Sequence, residues 1–206
     1  MAPLTTDKPR GGLTAMCIAE LVCWGLLYYS LPVAVTPISA DMGWSHTTVT
    51  AALTVGLIVS ALVGPAVGRM LDSHGPSLIM GAGTLIGAIA LTLVAAAPNL
   101  IVFFLAWILA GFAQAATLYP PAFAVVTRWY GAERTKPLTT ITLVGGLAST
   151  VFAPIIAWLI DELGWRGTYG VLAGLLAVLA LPMHLFFLNR TWTDEAATSS
   201  VKPSKA

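Results

Sequence analysis

The chain has 206 residues, of which 57% are hydrophobic and only 9% are charged, and its formal net charge is +1. Soluble domains carry about 25% charged residues, so this composition excludes an ordinary soluble domain. A net charge near zero gives no electrostatic argument for binding nucleic acid. Repeated apolar runs of about twenty residues instead predict helices that span a membrane.

These runs predict an all-α bundle of six transmembrane helices joined by short connections. In chain order, the predicted helices cover residues 13–38, 46–70, 77–97, 100–126, 138–160 and 168–188. A polar leader, residues 1–12, precedes them, and a polar tail, residues 191–206, follows. The first run far exceeds the roughly 7–15 apolar residues of a secretory signal, so we expect it to be retained as helix one.

Lysine and arginine are unevenly distributed between the connections, and this bias predicts the orientation of the chain. With a cytoplasmic N-terminus, nine of the ten basic residues face the cytoplasm and only Arg166 lies outside. The nine cytoplasmic residues are Lys8, Arg10, Arg69, Arg128, Arg134, Lys136, Arg190, Lys202 and Lys205. We therefore expect a multi-pass protein of the inner (plasma) membrane with both termini in the cytoplasm.

The chain also matches itself when it is shifted by 89 residues without gaps. The matched pairs include Pro32 with Pro121, Asp72 with Asp161, and Gly75 with Gly164. The two units, residues 13–97 and 98–190, each contain three predicted helices, so the second unit enters the membrane from the opposite side. Inverted repeats of this kind are typical of secondary transporters. The alternative is that proline and glycine recur only because membrane helices need them for packing.

A Gly-x-x-x-Asp-x-x-Gly pattern, formed by Gly68, Asp72 and Gly75, begins in the last turn of the second predicted helix and runs into the connection after it. Together with six helices in an inverted repeat, it resembles the N-terminal half of a major facilitator superfamily transporter. Arg128-Trp129-Tyr130 and Gly164-Trp165-Arg166 resemble the branch of monocarboxylate and oxalate/formate carriers. The resemblance implies alternating-access transport of a small solute, with an organic acid among the candidates. It also implies a conformational switch at the Gly68, Asp72 and Gly75 turn, and neither an enzymatic activity nor a cofactor.

Family members have twelve helices in two halves, so the resemblance implies that this chain works with a second six-helix half. That half is either a separate chain or another copy of this one, and without it Asp72 would lack its usual partner. Small residues that would allow close helix contacts lie at four-residue spacing on helices two and five. They are Ser60, Gly64, Gly68, Gly145 and Ser149. The alternative is a truncated or non-transporting membrane module that pairs with a carrier.

Helix one carries Glu20, Trp24 and Tyr28 on one face, at spacing i, i+4 and i+8. Glu20 is the only acidic residue well inside any of the apolar runs. A charged carboxylate there costs roughly 2.5–3.5 kcal/mol, so it should face a cavity or a partner. Burial favours the protonated form of carboxyl groups, which suits proton coupling. The alternative is a neutral, hydrogen-bonded and purely structural glutamic acid.

Helix four places Gln114 and Thr117 on one face, and Tyr119 just before two prolines. Gln114 could hydrogen-bond a substrate or bond across to helix one. Pro121 and its match Pro32 are expected to interrupt helices four and one. Paired interruptions of this kind point to a transport site, although each could also be a plain kink.

Other polar and glycine patterns give no sign of a metal or nucleotide site. The histidines His46, His74 and His184 share no metal-like spacing, and we expect His184 to reach the membrane interface. Gly81, Gly83 and Gly87 lie within helix three, where they predict a close-packing face rather than a dinucleotide loop.

Overall fold

The computed structural model describes residues 11–188, which are helical almost throughout. Its α-helices are α1 Gly12–Leu27, α2 Ser30–Met42, α3 His46–His74, α4 Pro76–Ala96, α5 Leu100–Thr117, α6 Tyr119–Tyr130, α7 Thr135–Gly146, α8 Ala148–Leu175 and α9 Leu181–Phe187. A 3₁₀ turn, Gly131–Glu133, precedes α7, and a π-helical turn, Leu176–Ala180, joins α8 to α9. The all-α prediction is confirmed. Most of the predicted leader and the whole tail lie outside the described residues, as do Lys8, Arg10, Arg190, Lys202 and Lys205.

Five helical stretches within residues 11–188 are long and apolar enough to cross a membrane. The last of them, Thr135–Phe187, is 53 residues long, whereas one crossing needs only about 20 residues. It turns back at Gly164, whose φ of 69° and ψ of 168° are not helical. The described chain therefore makes six passes, as the sequence predicts.

Contacts with α4 show that the chain reverses at Gly164. Just after this residue, Arg166 donates hydrogen bonds of 2.9 Å to carbonyl oxygens at 95 and 97, at the end of α4. Near the end of the same pass, the carbonyl of Leu185 accepts a 3.0 Å hydrogen bond from Ser77, at the start of α4. The sixth pass therefore runs antiparallel to α4 along its whole length.

The passes differ in how deeply they lie in the bundle. We compared the most apolar 18-residue segment of each of the five stretches. In the first, third and fourth stretches 56% of this segment is buried, against 22% for α3 and 28% for the stretch that begins with α7. Large apolar side chains are exposed on these two sparsely covered parts of the bundle. They include Ile58 and Leu62 on α3, Leu143 on α7 and Leu147 just after it.

Glycines allow the closest helix contacts. At Gly56 and Gly111, α3 and α5 approach so closely that an added Cβ on either glycine would meet the main chain of the other helix. The glycines predicted to form a packing face on α4 do so: an added Cβ at Gly83 would lie 2.5 Å from Ala116, and one at Gly87 would lie 2.9 Å from Leu176.

The small residues predicted at four-residue spacing do not all face outward. Gly64 and Gly68 open onto free space, because an added Cβ there would meet nothing within 4 Å. Gly145 instead packs inside the chain, where an added Cβ would lie 2.6 Å from the hydroxyl oxygen of Tyr119. Only the stripe on α3 is therefore open along its length.

The two polar turns predicted at residues 68–75 and 161–167 are shorter than expected. Helix α3 includes Gly68 and Asp72 and ends at His74, so only Gly75 of the Gly-x-x-x-Asp-x-x-Gly pattern lies outside the helix. Ser73 supports this extension, since its hydroxyl donates to the carbonyls of Arg69 and Met70 at 3.1 Å each. Likewise, α8 departs from helical geometry only at Gly164. In each case a single glycine makes the turn that the sequence assigned to a loop.

The backbone dihedral angles of two glycines match at the predicted repeat distance. Gly75 has φ 81° and ψ 164°, and Gly164, which is 89 residues later, has φ 69° and ψ 168°. This combination is accessible almost only to glycine. Two helix breaks match in position but not in conformation: Leu118 between α5 and α6 lies 89 residues after Tyr29 between α1 and α2, yet Leu118 is extended and Tyr29 is not.

Candidate functional site at the paired helix breaks

Two prolines account for the positions of the helix breaks. A proline ring clashes with the carbonyl four residues earlier and removes one helical hydrogen bond, so the distortion appears upstream of the proline itself. For Pro32 the affected carbonyl belongs to Tyr28, and the chain leaves the helix at Tyr28 and Tyr29. For Pro121 it belongs to Thr117, and the chain leaves the helix at Leu118.

Glu20 lies in α1, about two turns before the first break, and it is fully buried. Its Oε2 accepts a 3.1 Å hydrogen bond from the indole Nε1 of Trp24. Its Oε1 has no hydrogen-bond partner within residues 11–188. A buried polar atom without a partner is unfavourable unless something else binds it. Glu20 therefore offers one free acceptor inside a membrane-spanning helix.

Aromatic side chains surround both breaks and form what we call the aromatic cluster. Neighbouring ring centroids in the cluster lie 4.8 to 6.4 Å apart. The members are Trp24, Tyr28, Tyr29, Tyr119 and Phe123. All five are half-buried, and Trp24 is bonded to Glu20, so the cluster lies beside this carboxyl group and keeps part of its own surface open. The predicted residues Trp24, Tyr28 and Tyr119 thus lie together, and the sequence had not indicated Tyr29 or Phe123.

Gln114 lies in the last turn of α5 and is buried. Its Nε2 donates a 2.8 Å hydrogen bond to the carbonyl oxygen of Leu27, the last residue of α1. This is the bond across to helix one that the sequence left open as one of two alternatives. The other amide atom, Oε1, has no partner within the described part of the chain.

Thr117 is placed differently from Gln114. Its hydroxyl donates to the carbonyl of Ala113 in its own helix at 2.8 Å. Its methyl group faces α4, where an added Cβ on Gly83 would lie 3.0 Å away. Thr117 is fully buried in this contact. Thr117 therefore packs against α4, with its hydroxyl bonded within its own helix.

Asp72, whose usual partner is expected in a second half, also has a partner within this chain. The Nη1 of Arg128 lies 3.7 Å from Oδ1 of Asp72, which ties the end of α3 to the end of α6. The carboxylate side chain is 71% exposed. The ion pair lies at the end of the bundle that also carries Gly75.

The opposite end of the bundle contains a polar cluster that the sequence did not reveal. Arg166 caps the end of α4 through two carbonyl oxygens and stacks 4.2 Å from the ring centre of Trp165. Asp41, at the end of α2, accepts a 2.9 Å hydrogen bond from the Trp165 indole and lies 4.0 Å from Arg166 Nε. The sequence had offered two signals, the Gly164-Trp165-Arg166 motif and the prediction that Arg166 alone among the basic residues lies outside.

His184 was expected at the membrane interface, but it is fully buried. Its Nδ1 lies 2.7 Å from the hydroxyl oxygen of Thr84, in α4. The hydrogen bond to α4 accounts for the difference at Nδ1, whereas Nε2 is buried without a partner among the described residues.

Six passes, with glycine turns and helix breaks matched 89 residues apart, place this protein in the class of multi-pass membrane domains of the secondary-transporter type. The chain belongs to the Major Facilitator Superfamily, which it matches over residues 16–206. The structure is accordingly half of a major facilitator fold.

Three proteins that are similar in sequence to this chain are described as transporters. The chain is 27% identical to the "Probable L-galactonate transporter" of Escherichia coli, over 82% of the chain and 37% of the relative. It is 24% identical to "Monocarboxylate transporter 13" of Rattus norvegicus, over 87% of the chain and 42% of the relative. It is 25% identical to an "MFS-type transporter" of Gibberella moniliformis, over 90% of the chain and 44% of the relative. The chain thus spans about two fifths of the length of these relatives.

Proposed function

We propose that this chain forms the N-terminal half of a secondary active transporter, which moves a small solute across the plasma membrane by alternating access. The observation that carries the proposal is the buried carboxyl group of Glu20 beside two matched helix breaks. Transport sites of this class lie near the membrane midplane where helices are interrupted. Ionisable residues inside membrane helices are expensive to bury and generally mark functional sites.

Glu20 is proposed to couple transport to protons. One neutral indole donor compensates a buried carboxylate only weakly, and the second oxygen is free among the described residues. A proton on Glu20 would remove this unfavourable charge, and its loss would restore it. The aromatic cluster, including Trp24, Tyr28 and Tyr119, is proposed to contact the solute, whereas the side chain of Gln114 is buried and bonded to Leu27.

The substrate proposed for the first tests is an organic acid. The names of two relatives mention L-galactonate and monocarboxylates. The basic residues of the described chain lie at the ends of passes, namely Arg69, Arg128, Arg134, Lys136 and Arg166. An organic anion at the level of Glu20 would therefore need a proton or a cation from another half to balance its charge.

A second six-helix half is proposed to complete the transporter. Support comes from the sparse coverage of α3 and of the stretch that begins with α7, and from the length of the relatives. The half is either a separate chain or a second copy. In this arrangement, residues 13–97 and 98–190 act as the two repeat units of one half. Residues 1–12 and 191–206 are cytoplasmic tails.

Uptake by purified protein tests the proposal. Proteoliposomes containing the 206-residue chain are given an inward proton gradient and labelled L-galactonate or lactate. We expect uptake that falls at least tenfold in Glu20→Gln, whereas Glu162→Gln, at an exposed position, leaves it unchanged. A tandem fusion of two copies is assayed in parallel, because both termini are proposed to be cytoplasmic.

The same assay separates the proposal from its alternative. Uptake by the single chain or by the tandem fusion that depends on Glu20 supports transport by this half with itself. Uptake by neither, for any substrate tried, excludes transport by this half with itself and leaves either a separate second half or the second candidate, a non-transporting membrane module that pairs with a carrier. The observation that favours this module is the same exposed surface of α3 and α7.

A further inference from the structure

The two helix breaks are bonded to each other through Gln114. Its side chain donates to the carbonyl of Leu27, where α1 ends, at 2.8 Å. Its own main-chain carbonyl accepts a 3.1 Å hydrogen bond from the amide of Leu118, where α5 ends. One residue therefore holds the last turn of one broken helix through its side chain and the last turn of the other through its backbone.

Trp24 provides a second link, which starts from the first break and reaches the second. Its main-chain carbonyl accepts hydrogen bonds from the amides of Tyr28 and Tyr29, at 3.2 and 3.0 Å, which closes the end of α1. Its ring centre lies 4.8 Å from that of Tyr119, the first residue of α6. Its indole also donates to Glu20. Trp24 thus belongs to the first break, contacts the second, and binds the buried carboxyl group.

Burial makes these links difficult to replace. Gln114 and Leu27 are both buried, so water has little access to a carbonyl that loses its amide partner. A main-chain carbonyl without a partner is costly inside a membrane, because no water is available there to replace the lost hydrogen bond. Movement at one break that separated Gln114 from Leu27 would leave this carbonyl without its partner. Movement of both breaks together would keep the bond.

We propose that Gln114 is a positioning residue which, with Trp24, joins the two helix breaks into a single joint. In this arrangement the two breaks move together, and the Trp24 indole carries their movement to Glu20. The joint goes beyond the proposed function. It rests on that function only for the transport measurement described last, and its main test needs no transport at all.

Amide hydrogen exchange, followed by mass spectrometry on the whole chain in lipid nanodiscs, is that main test. Gln114→Leu removes the hydrogen bond to Leu27 but keeps the backbone bond to Leu118. We expect exchange to become at least tenfold faster in peptides covering both breaks, residues 24–31 and 114–122. Thr92→Val is the matched control, because Thr92 donates only to a carbonyl of its own helix, Ala88 at 2.8 Å. It should leave both peptides unchanged.

The peptide that covers the second break, residues 114–122, decides the outcome. Faster exchange confined to residues 24–31 would mean that Gln114 merely caps α1, and it would overturn the joint, as would no change in either peptide. Gln114→Asn is measured alongside, because it stays polar but is one methylene too short to reach Leu27. Gln114→Asn should behave like Gln114→Leu. If Gln114→Leu fails to fold, exchange in the same two peptides of Gln114→Asn tests the proposal instead. Wild-type exchange in Gln114→Asn would also contradict the proposal.

Transport gives an independent measurement if the proposed function holds. Loss of the joint should slow the conformational step without removing a substrate contact. We therefore expect Gln114→Asn to lower the turnover rate at least tenfold while KM changes less than twofold. A raised KM with unchanged turnover would indicate instead that Gln114 binds substrate directly. Absence of any transport in wild type would count against the proposed function, and the exchange experiment would still decide the joint.

Discussion

The two glycine turns, at Gly75 and Gly164, share a backbone but not their surroundings. Both glycines adopt the same rare conformation, and each follows an aspartate by three residues. At the first turn, Asp72 forms an exposed ion pair with Arg128. At the second, Asp161 is exposed, and the nearby bonds belong to Arg166 and its partners.

This difference shows which features of the repeat are physically constrained. A tight reversal between two membrane helices needs a residue that tolerates positive φ, and glycine does so most easily. A helix break likewise depends on proline. Side-chain bonds at the polar ends of the bundle can be rebuilt from other residues, because water is available there. Within this chain the glycines and prolines therefore match between the two units, whereas the charged contacts differ.

Replacing the turn glycines should have the largest effect. A side chain at such a conformation costs of order 1–3 kcal/mol. We expect Gly75→Ala and Gly164→Ala to lower the free energy of unfolding by similar amounts in that range, measured by SDS titration in mixed micelles. Gly64→Ala is the control, since Gly64 is helical and an added Cβ there meets nothing within 4 Å. A large loss at only one of the two turns would contradict their equivalence.

Arg166→Met should have the next largest effect. The guanidinium group donates to two carbonyl oxygens at the end of α4, and hydrogen bonds from charged groups are worth roughly 1.5–3 kcal/mol each. The side chain is 40% exposed, so we expect a loss near the lower limit, about 1.5 kcal/mol in all. Arg134→Met, at an exposed position, serves as control and should change stability by less than about 0.5 kcal/mol. Equal losses in the two variants would rule out a capping role for Arg166.

The ion pair at the first turn should contribute less. Exposed pairs are worth about 1 kcal/mol or less and weaken as salt is added. A double-mutant cycle with Asp72→Asn and Arg128→Gln isolates this pair from their other contacts. We expect a coupling energy of at most about 1 kcal/mol at low salt, approaching zero near 1 M salt. A larger, salt-independent coupling would show that the first turn is held as firmly as the second.

Asp161→Asn should have the smallest effect. Asp161 matches Asp72 in the repeat, yet its side chain is exposed at the end of the fifth pass. Exposed substitutions of this kind usually change stability by less than about 0.5 kcal/mol. The same SDS titration at low and high salt checks this. A loss as large as that of Asp72→Asn would mean that the second turn has kept the charge function of the first.

Local chemistry in the sequence predicted most of this fold. Pro32 and Pro121 indicated both helix breaks, because the effect of proline on a helix is confined to the preceding turn. The end of α3 was placed four residues too early, at Met70 instead of His74. Polar residues such as Asp72 and Ser73 suggest a loop, whereas Ser73 here bonds back to its own helix.

Long-range contacts could not be predicted in the same way. The hydrogen bond from Gln114 to Leu27 spans 87 residues, and the one from Trp165 to Asp41 spans 124. Nothing in the spacing of these residues along the chain encodes their meeting. For Gln114 the sequence offered two alternatives, and only the packed bundle shows that its amide reaches helix one. The burial of His184 depended in the same way on a distant partner, Thr84.

The side of the membrane on which each glycine turn lies is the most direct test of the inverted repeat. Single cysteines at Ser73 and Glu162, with Cys17 and Cys23 changed to serine, can be labelled with a membrane-impermeant maleimide. We expect Glu162→Cys to be labelled in intact cells and Ser73→Cys only after permeabilisation. Labelling of both in intact cells, or of neither before permeabilisation, would place the two turns on one side and contradict the inverted repeat.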